Sequence, residues 1–210
     1  MRNTIIAAAV LAAGLPLLAA PAQASVCAVS DVSLTIGSTT YTPPSCADSI
    51  SNGNPTQETA NLNAAFGTTF SYLDKNGDNA QPTFQGIKFS VTAPTNTSTG
   101  TWTVAWTDTN GGAPRNLPIT IDFEVGLFGG STGAGYRLNS VFLPISPANG
   151  SGTFDITFNN NGGQNPNLSH LTLTGGNAID PPSDPIPEPA SLLLLGSGLL
   201  GIGVMRRFRG

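Results

Sequence analysis

The chain has 210 residues and a formal net charge of −4, with 8 Lys and Arg against 12 Asp and Glu and a single histidine. Charged residues make up 10% of it, far below the ~25% usual in soluble globular chains. A phosphate backbone must be met by clustered cations, so nucleic acid is excluded as a partner class.

The N-terminal stretch carries Arg2, an apolar run from Ile5 to Leu18, and then Ala22-Gln23-Ala24. This is the pattern of a secretory signal with an A-x-A cleavage site. Residues 1–24 are therefore expected to be a signal peptide, with Ala22 and Ala24 read by signal peptidase after the export machinery engages it, and a mature start at Ser25. A lipoprotein reading needs a small residue before Cys27, and Val26 stands there. Export places Cys27 and Cys46 in an oxidising compartment, where a disulfide is the expected state. With no histidine near them they make a poor metal site.

From Val29 onward the pattern is alternation at period two, rich in Thr, Val, Ile and Phe. Val29 to Ile36 is a first strand. Residues 43–63, full of Pro, Ser, Asn and Gly, read as a long loop pinned at Cys46. Phe66 to Leu73 is a strand with Phe66, Thr68, Phe70 and Tyr72 on one face, and Asn76-Gly77 is a reverse turn. Ile87, Phe89 and Val91 line the next strand; Trp102, Val104 and Trp106 line the one after. Ile119, Ile121, Phe123, Val125 and Leu127 form the longest apolar stripe, with Asp122 and Glu124 on the opposite, solvated face. Tyr136 to Leu143, Thr153 to Phe158 and Leu168 to Thr174 complete the set. Short strands joined by Gly- and Asn-rich turns predict an all-β fold, an antiparallel β-sandwich of jelly-roll or Ig-like type, over residues 25–174.

Residues 175–186 read as a Pro/Gly-rich linker. Behind it come Pro187-Glu188-Pro189, an uncharged run from Ala190 to Met205, and Arg206, Arg207 and Arg209. The run would extend ~24 Å as a helix at ~1.5 Å per residue, short of the ~30 Å hydrocarbon core. The arginines resist translocation and act as a stop-transfer signal.

The order of a proline-flanked glutamate, Ser191 in a Leu/Gly-rich run and a basic end resembles the PEP-CTERM sorting signal of Gram-negative bacteria. The resemblance covers residues 187–210, with Ile186 where valine is common. It implies recognition of Pro187, Glu188 and Pro189 by an exosortase, a transient inner-membrane anchor through a short transmembrane helix, and delivery to the cell surface or extracellular matrix. It also implies an association with exopolysaccharide and biofilm. The β-domain, through Gly100-Thr101-Trp102 and Ser169-His170-Leu171-Thr172-Leu173, looks like a common ectodomain type of such proteins, which brings a fold and no activity.

Three constellations offer alternatives. Asp74, Asn76 and Asp78 match the opening of a calcium loop, but Asn79, Pro82 and Gln85 stand where it needs a turn glycine and a closing carboxylate, leaving a weak calcium candidate and otherwise no metal. Trp102 and Trp106 on one strand face are a candidate sugar-stacking platform for a lectin-like module, or ordinary core. Asp122, Glu124 or Asp155 with His170 would be needed for an extracellular hydrolase. No G-x-S-x-G elbow, P-loop, H-E-x-x-H or dinucleotide fingerprint occurs. The expectation is a non-enzymatic surface protein without a cofactor.

Overall fold

The computed structural model describes residues 26–79, 81–110, 116–160 and 162–180. The expected signal peptide (1–24) and the sorting tail with its membrane helix (187–210) lie outside the described residues. No helix among the described residues is long and apolar enough to cross a membrane.

After a 3-10 turn at Val29–Asp31, the elements run β1 (Leu34–Ile36), β2 (Thr39–Tyr41), β3 (Ser45–Ser51), α1 (Pro55–Phe66), β4 (Ser71–Lys75), β5 (Thr83–Phe84), β6 (Ile87–Thr92), β7 (Thr99–Asp108), β8 (Ile119–Gly129), β9 (Thr132–Leu143), β10 (Asn149–Asp155) and β11 (His170–Ile179). They form a six-stranded sheet ordered β2-β1-β10-β7-β6-β5 and a five-stranded sheet ordered β3-β9-β8-β11-β4. Every strand pairing is antiparallel.

The two sheets share one apolar core. Phe89, Trp102, Val104 and Phe154 from the first meet Phe123, Val125, Tyr136 and Leu173 from the second, and Phe89 packs edge-on against Phe123 at 5.8 Å. The expected antiparallel two-sheet architecture is present. Burial of the alternating stripes supplies its driving force, at ~25 cal/mol per Å² of apolar surface. Cys27 and Cys46 are disulfide-bonded, which ties the segment before the 3-10 turn to β3.

The segment 43–63 is not the long loop its composition suggests. It contains β3 and the whole of α1 except its last turn. Helix signals are present at both ends: Asn54 caps the N-terminus by accepting from Gln57 N at 3.0 Å, and Gln57 Oε1 accepts from Asn54 N at 3.1 Å. Pro55 occupies the first turn and Gly67 closes the helix in the left-handed region at φ 66°, the combination expected of a well-capped helix. Phe66 therefore ends a helix rather than starting a strand, and β4 begins at Ser71. The apolar face of α1 is narrow, essentially Leu62 and Phe66, so a period-3.6 search had little to find.

The helix lies on the outer face of the five-stranded sheet, over Phe128 and Ile50. Gly135 makes room for it: a Cβ there would stand 2.7 Å from Leu62 Cδ2 and 2.9 Å from Phe66 Cε2. The same close-packing logic corrects the expected domain end. Gly175 and Gly176 belong to β11, where a Cβ on Gly175 would stand 2.7 Å from Leu73 Cδ1; they are glycine because the sheet is crowded, and the strand continues to Ile179. At the other end of the chain, residues 29–31 turn as a 3-10 helix before β1, and β10 starts at Asn149 rather than Thr153.

Two outcomes check this architecture. Replacing both cysteines by serine is expected to lower the unfolding free energy by ~3 kcal/mol, measured by urea denaturation; an unchanged midpoint would contradict a native bridge. Gly135→Val is expected to cost ~1–3 kcal/mol through overpacking beneath α1, with loss of helical circular dichroism ahead of the sheet.

Candidate functional site

Two features of the local chain bring polar groups under α1. The capped N-terminus puts Glu58 in the first helical turn, and outward positions of β4 and β11, in register at Lys75 and Thr172, lie beneath it. Glu58 is completely buried. Its Oε1 is met by Lys75 Nζ at 3.0 Å and by His170 Nε2 at 2.9 Å, and its Oε2 accepts from Thr172 Oγ1 at 2.5 Å. Gly53 N donates to Oε1 at 3.3 Å. Burial alone would raise the carboxyl, but hydrogen bonds from His170, Thr172 and Lys75 outweigh it and hold Glu58 at about 2. A carboxylate has only lone pairs to offer, so Nε2 is the protonated nitrogen of the His170 ring. The ring itself stacks on Phe128 at 5.1 Å.

This cluster joins a hydroxyl, a histidine and an acid, yet its wiring differs from that of a nucleophilic triad. There the hydroxyl bonds the histidine, which takes its proton. Here both Thr172 and His170 bond the carboxylate, and Thr172 is fully buried. The arrangement holds a charge and activates no oxygen. The nearest cleft, about 290 Å³, is lined by Pro55, Lys75, Asn76, Gly77 and Asp78, and only Lys75 of the cluster reaches it.

Glu124, expected on a solvated face, is completely buried. The face it shares with Asp122 is the one α1 covers, so alternation correctly separated it from the core but not from solvent. Its oxygens lie 2.6 Å from Thr68 Oγ1 and 2.9 Å from Thr174 Oγ1. Burial pushes its carboxyl above the ordinary range, against the pull of those hydroxyls and of Arg137. Asp122 is closer to water. Burial would raise it, but Asn177, the Ser140 amide and Arg137 hold it below the ordinary range. Arg137 Nη2 reaches Asp122 at 3.2 Å and its guanidinium lies over Phe70.

The hydrolase constellation is thus dispersed. Asp155 is exposed on β10 of the other sheet, Glu124 is sealed, and His170 serves Glu58. The calcium candidate is largely tied into the fold: Asp74 Oδ2 accepts from Val91 N at 2.6 Å while its buried Oδ1 has no partner, Asn76 is paired through both amide atoms with the Ala93 backbone, and Asp78 Oδ2 accepts from Tyr72 at 2.9 Å. No group of three or more metal-ligating side chains gathers among the described residues. Trp102 and Trp106 are buried, and their indole N–H groups donate to Ser33 O and Pro144 O, each at 3.0 Å. They are core residues, and the sugar-stacking platform is ruled out.

A further buried acid beside Glu58, Glu124 and Asp74 is Asp31, which was not foreseen. Its Oδ2 accepts from Tyr136 at 2.9 Å, from Thr157 at 2.6 Å and from Ala28 N at 2.8 Å. Burial first, and then Asp31, push the Tyr136 phenol up. Neither Asp31 nor Glu58 carries a sequence motif; the one available clue to Glu58 was the capping pattern at 54–57.

Because the folded Glu58 binds its proton far more weakly than an ordinary carboxyl at 4.5, its contribution is full above 4.5 and is lost as pH falls toward about 2. Glu58→Ala is expected to cost ~3–5 kcal/mol, the range for removing one partner of a buried ion pair. It should also flatten the acid limb of a pH–stability profile. An acid limb identical to wild type would contradict the placement.

No curated protein and no solved structure matches the chain. One family model does: the PEP-CTERM protein-sorting motif, over residues 185–207. The match takes in Pro187, Glu188, Pro189, the apolar run and Arg206 and Arg207, and leaves out Arg209. It implies an exosortase as processing partner, and an exported protein that is first membrane-anchored and then at the surface. The chain therefore carries a PEP-CTERM protein-sorting motif at residues 185–207.

Proposed function

We propose that the protein is a non-enzymatic component of the cell surface or extracellular matrix, cut near Pro187–Pro189 by an exosortase and associated with exopolysaccharide. The observation that carries this is the sorting motif at 185–207 following directly on a folded domain whose last strand ends at Ile179. Five residues separate them, so processing at the tripeptide removes the anchor and leaves the two-sheet domain whole. The state of the buried acids agrees: both oxygens of Glu58 and Oδ2 of Asp31 are held by partners, and Glu124 is sealed under the helix. The Cys27–Cys46 disulfide also suits a protein that works in the oxidising environment outside the cell.

The intact mass of the surface form is the direct test. It is expected to lack everything beyond about Pro189; a mass that includes Arg206 to Gly210 would make the protein a permanently anchored one. Replacing Pro187 and Glu188 by alanine is expected to leave export unchanged and to hold the chain in the inner membrane. The polysaccharide association is read by co-sedimentation of the fragment 25–184 with the exopolysaccharide of the producing cells; a fragment that stays wholly in solution would remove that part of the reading.

A further inference from the structure

Thr68 sits immediately after the glycine that closes α1, and its hydroxyl is placed between two oxygens. Oγ1 lies 2.7 Å from Asn63 Oδ1 and 2.6 Å from Glu124 Oε1. The Asn63 amide is fixed in orientation, because Nδ2 donates to Phe70 O at 2.9 Å and Oδ1 accepts from Phe70 N at 2.8 Å. A hydroxyl has one hydrogen. If Asn63 Oδ1 and an ionised Glu124 both look for it, one of the two short contacts brings lone pairs together in a half-buried place, which is costly. Thr174 offers no relief, since its hydroxyl is directed to the other carboxyl oxygen, Oε2, at 2.9 Å.

We infer that Glu124 is a carboxylic acid in the folded protein, and that its proton pins the C-terminal end of α1 to the sheet through the relay Glu124 Oε1–H to Thr68 Oγ1–H to Asn63 Oδ1. Each oxygen–oxygen contact then holds one hydrogen, and Thr174 donates to the carbonyl oxygen of the acid. The surrounding charges leave room for this. On the same face stand Asp122 from β8, Arg137 from β9, Lys75 and Tyr72 from β4, His170 from β11 and Glu58 from α1. Arg137 is paired with Asp122 at 3.2 Å, while Lys75 and His170 are paired with Glu58 at 3.0 and 2.9 Å. Tyr72 donates to Asp78. Arg137, opposite Glu124 in the β8–β9 register, favours the ionised form, but its Nη2 is given to Asp122, and burial, the largest influence, favours the neutral form of Glu124.

The relay makes α1 sensitive to rising pH. A group that binds its proton more tightly folded than unfolded contributes fully below the ordinary carboxyl range, and that contribution is lost as pH climbs through the folded midpoint. Outside the cell the domain meets the pH of its surroundings, so the helix end would loosen on the alkaline side while Glu58, ionised throughout, keeps the helix start in place.

The chain contains three glutamates, Glu58, Glu124 and Glu188, so glutamate labelled with carbon-13 at Cδ gives three carboxyl signals in the full chain held in detergent micelles. The signal that disappears in Glu124→Gln is expected to be that of a protonated acid at a pH where the Glu188 signal is fully ionised. Titration together with or below Glu188 would overturn the inference. Backbone correlation assigns the signal if that variant fails to fold. Thr68→Val supplies a sign: removing the acceptor of the acid proton should lower the Glu124 midpoint, whereas removal of a donor to a carboxylate would raise it and contradict the relay. Protection of the α1 amides should fall as pH passes the midpoint in the wild type and stay level in Glu124→Gln.

Discussion

A fully buried carboxylate in the first turn of α1 is the constraint on which the outer half of this domain depends. Removing Glu58 from water is unfavourable by several kcal/mol unless partners compensate, and those partners come from three places in the chain. Lys75 is on β4, His170 and Thr172 are on β11, and Gly53 precedes the helix. The interaction therefore fastens a twelve-residue helix, marginal on its own at that length, to the five-stranded sheet. The helix in turn shields Glu124 and Phe128, so this sheet is buried on both faces over part of its area.

How cations are distributed follows from the same constraint. The described domain has few, and two of them, Lys75 and Arg137, are used on this face against Glu58 and Asp122. The outward face of the other sheet is left to hydroxyl pairs such as Ser33 with Thr153 and Thr92 with Thr103. Away from the face under α1 the well-exposed charge of the described residues is Lys88 against Asp155 and Asp180, so the surface is sparsely charged and more acidic than basic.

Much of the sheet structure was legible because alternation reports which side of a strand meets the core. The stripes at 87–91, 102–106 and 119–127 all proved to be inner faces, and export logic anticipated the Cys27–Cys46 bridge. Alternation says nothing about what covers the other side. Glu124 looked solvated because a helix had not been recognised, and the helix was missed because Asn, Gly and Pro at its ends are also loop residues. Gly175 and Gly176 resembled a linker for a similar reason: glycine marks both freedom and crowding, and only the neighbours Leu73 and Phe70 decide between them. The buried site was the least legible part, since Glu58 and His170 are 112 residues apart and no motif joins them. The sorting motif, by contrast, is contiguous in the sequence, so its order of residues is itself the signal.

The central claim is that Glu58 and its partners are a fastening, and a double-mutant cycle tests it most directly. Glu58→Gln, Lys75→Met and the double variant would be unfolded in urea at neutral pH. The account predicts a coupling free energy between the two positions of ~0.5–3 kcal/mol, the range for residues in one buried network. Additive losses, with no coupling between Glu58 and Lys75, would contradict it.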